Sequence, residues 1–427
     1  METCGKMKPS VLIGSMLVLS GWCLAEDWPR WRGPEGTGHV PAGVAVPKTL
    51  PEQPKVLWQV KVGFGLGSPV VAGGRVFHLD LQEGKEAVHA LEAATGKELW
   101  AEPLDEVFKD FQSSPGPRTT PLADGERLYV QSCRGEFRCL GAADGKVIWR
   151  TSFVKDFGAV FIGEKGSAAG ASRHGNCGSP AIDGERLYAA VGGREGASVV
   201  CFEKATGKVL WKSQNDIAGY SGPVVATLAG VRQVVSFTAE AVIGLDAADG
   251  RLLWRVPVKT AIGRHVTTPT VAGDMVMVAS HQAGLIGIKV ARQGDGLQAE
   301  QAWVDRAAPI NFSSPVAVGN HLYGLGRAGT LLCVDARTGQ RAWADDKFFS
   351  GMVRKGYASF LVMGENILTL AERGQLMLVA ADPTRCRLLA KAEVCGQNWC
   401  NPAYADGRLY VRDDRELRCV QLLEAAR

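Results

Sequence analysis

Ten residues stand one to six places ahead of a recurring pair, a small residue followed by proline, or ahead of its variant form. They are Arg118, Arg173, His174, Asn176, Arg264, His265, Asn311, Arg354, Tyr357 and Trp399. Guanidinium, imidazole and amide groups gathered at one place bind an anion or a polar ligand through hydrogen bonds, several of them charge-assisted. The same residue types also line solvated channels, where they bond water or loop backbone. Acid–base catalysis asks for more, because a general base needs a partner that positions it. Of the seven histidines, only His174 and His265 fall in this set; His78, His89, His281 and His321 fall in strands or strand turns and read as structural. No Ser-His-Asp order and no HExxH stands out, so no catalytic residue is assigned.

The cysteines offer little metal chemistry. No CxxC pair exists, which excludes a zinc ribbon or a thioredoxin-like site, and no metal site is expected. Cys139, Cys201, Cys333 and Cys419 share one position of a repeat and read as small buried apolar residues. Cys395 and Cys400 are five apart in a loop and are expected to form a local disulfide in an oxidising compartment. Cys133 and Cys139 flank a tight turn and are a second pairing to consider.

The elements that position these residues are repetitive. An apolar strand, a turn such as Ala-Thr-Gly-Lys and a strand ending in Trp recur as HALEAATGKELW (89–100), RCLGAADGKVIW (138–149), VCFEKATGKVLW (200–211), IGLDAADGRLLW (243–254) and LCVDARTGQRAW (332–343). Before each copy come the small residue and proline, an apolar strand, a Gly turn and another strand. The anchors are Pro69, Pro121, Pro180, Pro223, Pro269, Pro315, Phe360 in a variant copy, and Pro402, at separations of 42 to 59 residues. Four short strands per unit of roughly 45 residues indicate a propeller blade. Eight anchors predict an all-β, eight-bladed β-propeller of four-stranded blades over 56–421. The last unit supplies only three strands, so VLWQV (56–60) is predicted to complete it and close the ring. Trp58, Trp100, Trp149, Trp211, Trp254, Trp303 and Trp343 are then expected to pack between neighbouring blades, with the Gly turns as docks. Many of the 52 glycines among 427 residues sit in these recurring turns, since glycine accepts positive φ without steric cost.

The ring leaves two ends of the chain. Lys6 and Lys8 precede an apolar stretch, 11–21, with small residues ahead of a cleavage after Ala25. This is the layout of a secretory signal peptide over 1–25, so an exported protein, periplasmic or extracellular, is expected. A lipid anchor at Cys23 is the alternative and fits less well, because Trp22 stands where a small residue belongs. A tryptophan-rich arm spans 26–55 and a tail 422–427. No apolar run is long enough for a membrane span in the mature chain. Forty-eight basic and 44 acidic residues give a net charge of +4 without a basic run, which argues against a nucleic-acid partner. A closed ring needs no partner strand, so a monomer is expected. The longest loop between strands, 153–177, reads as a lid or a partner-binding loop.

The phrase A-x-T/D-G-K-x-x-W resembles the tryptophan-docking repeat of the pyrroloquinoline-quinone (PQQ) propeller superfamily, over nearly all of 56–421. The segment Asp27-Trp28-Pro29-Arg30-Trp31-Arg32-Gly33-Pro34 resembles the opening of secreted PQQ-like propellers that are similar to the assembly factor BamB. The resemblance implies one of two functions. Quinoprotein dehydrogenases hold PQQ with calcium and carry adjacent cysteines joined as a disulfide ring, an Asp base and a Glu/Asn calcium site. This sequence has no Cys-Cys pair and lacks their long insertions, so none of those roles transfers to a numbered residue here. BamB-like members hold no cofactor and act as binding scaffolds. The expectation is therefore a non-catalytic scaffold without cofactor, with an envelope protein or a polysaccharide-type ligand as partner. The alternative is a divergent quinoprotein-type oxidoreductase using PQQ and calcium at the channel mouth.

Overall fold

A computed structural model describes Met1 and residues 27–109, 114–160, 174–354 and 356–423. The proposed leader, Arg173 and the last four residues lie outside them. Eight antiparallel four-stranded sheets form an eight-bladed propeller. The first blade shows the pattern: β2 (Val70–Ala72) lies innermost, followed outward by β3 (Arg75–Gln82), β4 (Lys85–Glu92) and β5 (Glu98–Glu106). Blades 2 to 7 span 122–152, 181–213, 224–257, 270–305, 316–345 and 358–393. Blade 8 has three strands within 403–421 and takes its outer strand from β1 (Lys55–Lys61), which pairs antiparallel with Glu416–Gln421. β1 thus supplies the fourth strand of blade 8 from the other end of the propeller and closes the ring.

Middle strands are buried on both faces and read as continuous apolar runs; outer strands alternate. The outer-strand tryptophans bridge blades. Trp58 donates its indole N–H to the Ala93 carbonyl of blade 1 at 2.9 Å, and Trp100, Trp149, Trp211, Trp303 and Trp343 donate to Ala142, Lys204, Ala247, Ala336 and Asp382 of the blade that follows. Gly96, at φ +74°, marks one dock: a Cβ there would lie 2.6 Å from the Trp58 ring. Trp254 departs from the expected docking. Blade 5 replaces the Gly turn with a long hairpin, 284–305, and Trp254 turns its N–H to Gln233 Oε1 of its own blade at 2.6 Å.

The small residue ahead of each proline has a job of its own. The Ser68 N–H donates to Thr120 Oγ1 at 3.1 Å, and the Thr120 N–H to Ser179 Oγ at 2.9 Å. The Thr268 N–H reaches Ser314 Oγ, and the Asn401 N–H reaches Ser68 Oγ, both at 2.9 Å. These bonds stitch neighbouring blades around the channel and include the joint between blade 8 and blade 1. Each satisfies a buried amide that no sheet reaches.

The arm crosses the channel. Trp28 forms a two-bond bridge with Val71 of blade 1, the Pro29 carbonyl accepts from Ala123 of blade 2, and Arg30 donates to the Ile182 carbonyl of blade 3. Trp31 then donates to Thr268 at the head of blade 5, Arg32 to the Pro315 carbonyl of blade 6, and Val40 to Val362 of blade 7. Tyr404 of blade 8 donates to the Ala45 carbonyl. The arm thus visits seven blades in ring order, and with Trp31 in the channel it covers one end of it. Arg32 is fully buried there; desolvation pulls its pKa down to about 10, and its guanidinium donates to the Thr37 and Pro315 backbone carbonyls.

The nine cysteines among the described residues are free thiols. The expected Cys395–Cys400 disulfide is not formed. Cys400 turns its thiol to the Gly65 carbonyl, and the Cys395 sulfur accepts from Asn398 Nδ2. Cys133 and Cys139 are not joined either.

Candidate functional site

At the end opposite the arm's crossing, the loops leading into the innermost strands surround a cavity of about 550 Å³. One position of the repeat builds its wall. The residues three places before the anchors are Leu66, Arg118, Cys177, Tyr220, Val266, Phe312, Tyr357 and Trp399, one per blade, and all eight line the cavity. Thr120, Ser179, Gly222 and Thr268, one place before their anchors, line it as well. The intervening Thr119, Ser221, Thr267 and Ser313 are buried in the blades. Extended backbone explains the alternation, because successive side chains point to opposite sides. Trp31 of the arm provides the floor, so the cavity is a cup.

The cup has two unlike sides. Blades 6 to 8 present an aromatic wall: the Tyr357 and Trp399 rings stack at 5.4 Å and 9°, and Phe312 meets Trp399 at 4.9 Å and 61°. Tyr357 is fixed by donating its hydroxyl to Asn401 Oδ1 at 2.8 Å, and burial pushes its pKa well above the usual range, so it stays neutral. Blades 2 to 5 present nitrogen and hydroxyl groups. Arg118 is braced by the Gly116 and Ser114 carbonyls, and Arg264 lies 5.5 Å from the Phe312 ring centroid, a cation–π distance. The His174 backbone N–H donates to the Tyr220 hydroxyl oxygen, and the two rings are 5.3 Å apart.

Of the ten residues singled out in the sequence, Arg118, His174, Arg264, Tyr357 and Trp399 line the cup. Asn311 stands behind Arg264, whose guanidinium donates to its Oδ1 at 3.4 Å. Asn176 is buried in the wall and holds its backbone N–H on the Cys133 carbonyl. His265 belongs to the core: its ring stacks on Phe237 at 4.2 Å, Nδ1 bonds the Thr238 carbonyl at 2.7 Å, and burial lowers its pKa. The pair His174–His265 is therefore not formed, and Tyr220 separates them. Arg354 is exposed and uses its backbone N–H on Glu372 instead of reaching the cup. Arg173 lies outside the described residues.

A strict offset of three, with the period of two in mind, would have returned Leu66, Cys177, Tyr220, Val266 and Phe312 and passed over His265. Trp31 carries no such signal, since its place depends on the arm's path. Among the described residues, no carboxylate lines the cup. Among the described residues, no group of three or more His, Cys, Asp or Glu is arranged to hold a metal ion.

Comparison with known proteins agrees with this architecture. A family model described as outer membrane protein assembly factor BamB matches residues 49–115 and 84–345. Outer membrane protein assembly factor BamB from Yersinia pestis is 23% identical over 373 residues, covering 84% of this chain and 76% of that protein. A polyvinylalcohol dehydrogenase from a Pseudomonas species is 29% identical over 217 residues, but these cover 40% of this chain and 34% of the dehydrogenase. Among solved structures, Sqt1 of Saccharomyces cerevisiae superposes with a TM-score of 0.57 at 10% identity, over 87% of this chain and all of that one, a likeness of fold alone. With its repeats, its closed ring and a family match over most of its length, the chain belongs to the PQQ-like β-propeller family of outer membrane protein assembly factor BamB.

Proposed function

We propose that this protein is an exported, non-catalytic binding scaffold of the bacterial envelope, and that the cup holds a group of its partner. The partner is an envelope protein or a polysaccharide-type ligand. The observation that carries the reading is the two-sided cup: a stacked Tyr357–Trp399 face with Phe312 beside it, opposite Arg118, His174 and Arg264. A flat apolar face takes an aromatic side chain or the C–H face of a sugar ring, and the facing donors orient its polar groups. The relatives named as assembly factors favour a protein partner for this chain too.

The oxidoreductase alternative fits less well. Calcium takes six to eight oxygen ligands, carboxylates prominent among them, and none of the described residues that line the cup is a carboxylate. The residues present therefore do not suit a PQQ–calcium pair.

Two experiments test the reading. Crosslinked capture from envelope extract compares the protein with a Tyr357→Ala/Trp399→Ala double variant; the captured species should be lost from the variant, and equal capture by both would overturn the role of the cup. Titration with PQQ and Ca²⁺ should give no stoichiometric binding and no dye-linked alcohol oxidation. Either signal would overturn the non-catalytic reading.

A further inference from the structure

Cys177 is the one ring position of the cup occupied by a thiol, and it is partly exposed on the wall. Cys133 lies directly behind it, fully buried, at the turn between the second and third strands of blade 2. The two come from different blades and are held side by side by backbone. The Asn176 N–H donates to the Cys133 carbonyl at 2.8 Å. Gly175 packs so closely that a Cβ there would lie 3.0 Å from Cys133 Cβ, and its φ of +76° suits glycine. The Cys177 thiol, which faces the His174 and Gly175 carbonyls at 3.5 Å, lies close enough to Cys133 to hold that thiol protonated. Cys133 also donates to the Gly116 carbonyl, and the Arg118 guanidinium reaches its sulfur at 3.7 Å.

We infer that Cys133 and Cys177 are a redox-active pair, a site of disulfide formation in the cup wall whose reactant is a small disulfide such as oxidised glutathione. The geometry divides the work between them. The Cys177 thiolate, reachable from the cup, attacks one sulfur of the reactant; a mixed disulfide forms and one glutathione thiolate leaves. Cys133 then loses its proton and attacks the Cys177 sulfur, forming the internal disulfide and expelling the second thiolate. Two electrons pass from the protein to the glutathione disulfide, and the two protons end on the two glutathione thiols. The neighbouring Cys177 thiol and burial hold the Cys133 thiol protonated, so it is inert alone. Once Cys177 carries the mixed disulfide, its thiol proton no longer faces Cys133, and the neighbouring Arg118 favours the Cys133 thiolate. The other described cysteines lack this combination. Cys139, Cys201, Cys333 and Cys419 are buried with raised pKa values, Cys386 is half-buried with its pKa raised as well, and Cys395 and Cys400 point to separate partners.

The proposal does not depend on the identity of the cup's ligand, and its test does not use one. The folded, leader-free protein is equilibrated with oxidised and reduced glutathione at a series of ratios. Free thiols are then blocked with an alkylating reagent, and the digest is analysed without reduction. The first internal disulfide should join the peptides of Cys133 and Cys177, two hydrogens lighter than the sum of the separate peptides. Cys133→Ser should accumulate the glutathione adduct on Cys177, and Cys177→Ser should leave Cys133 as a thiol; near-ultraviolet circular dichroism confirms that both variants keep the fold. Two results would overturn the assignment. One is alkylation of both cysteines in the wild type at ratios that already oxidise Cys395 with Cys400. The other is a folded Cys133→Ser variant whose Cys177 takes no glutathione.

Discussion

Replacing Trp58 with alanine should strike the ring at its weakest joint. The other outer-strand tryptophans connect blades that are also consecutive in the chain. Trp58 lies on β1, the strand that joins the two ends of the propeller. Its ring is 8% exposed and packs between Tyr410, at 5.9 Å, and the Gly96 turn of blade 1. Removing a buried Trp side chain costs about 3–5 kcal/mol in transfer and cavity free energy. The lost hydrogen bond adds little, because the Ala93 carbonyl also accepts from the Tyr410 hydroxyl at 3.3 Å and stays paired. The expected loss is therefore about 4 kcal/mol, a fall in Tm on the order of 5 °C for a domain of this size. Trp343→Ala is the control. That ring is partly exposed and docks on a turn without the glycine, at the Asp382 carbonyl, so its removal should cost about half as much. Thermal melts followed by far-ultraviolet circular dichroism measure both. A Trp58→Ala variant that melts within about 1 °C of wild type, or below which Trp343→Ala falls, would refute the argument that closure concentrates stability at this seam.

Three further outcomes are expected. Ser68→Ala removes the acceptor for the buried Asn401 N–H at the same joint, and an unpaired buried amide costs about 1–3 kcal/mol; urea unfolding should show this loss, whereas Ser350→Ala on the surface should show none. His89 is the basis of a pH dependence. Burial opposes its charge, but Asp80 and Glu98 at 3.0 and 2.8 Å outweigh it and raise its pKa above the ordinary 6.5. A raised folded-state pKa gives stability that is complete below about pH 6.5 and is lost as pH rises through the folded value. The difference in unfolding free energy between wild type and His89→Gln should thus shrink as pH rises through that window, and a pH-independent difference would contradict it. Gly96→Ala should destabilise by more than Gly43→Ala. Both glycines have positive φ, but a Cβ at position 43 meets nothing within 4 Å, while at position 96 it meets the Trp58 ring.

Much of this architecture was legible in the sequence because it is written eight times. Proline anchors, Gly turns and terminal tryptophans repeat, and even the variant anchor Phe360 lies in an innermost strand, Ala358–Met363. The missing fourth strand of blade 8 was legible by subtraction. The cup was half legible. Loop residues near the anchors identified the right end of the channel, but which ones face inward is set by the alternation of extended chain, so His265, one place off the ring, turns into the core. The arm's route was not legible. Its contacts with seven blades are one or two hydrogen bonds each, mostly to backbone, which leave no pattern in the arm itself. The contact of Cys133 with Cys177 was hidden for a similar reason: it depends on the packing of one blade against the next, not on their separation in the chain.

The central claim is that the partner enters the cup. Benzoylphenylalanine in place of Phe312, on the aromatic wall, tests it against the same photoreactive residue in place of Leu210, which is exposed on the outer strand of blade 3. Irradiation in envelope extract should yield one dominant crosslinked species from position 312 and none of it from position 210. The same species from position 210, with none from 312, would place the partner on the propeller's outer edge and contradict the account.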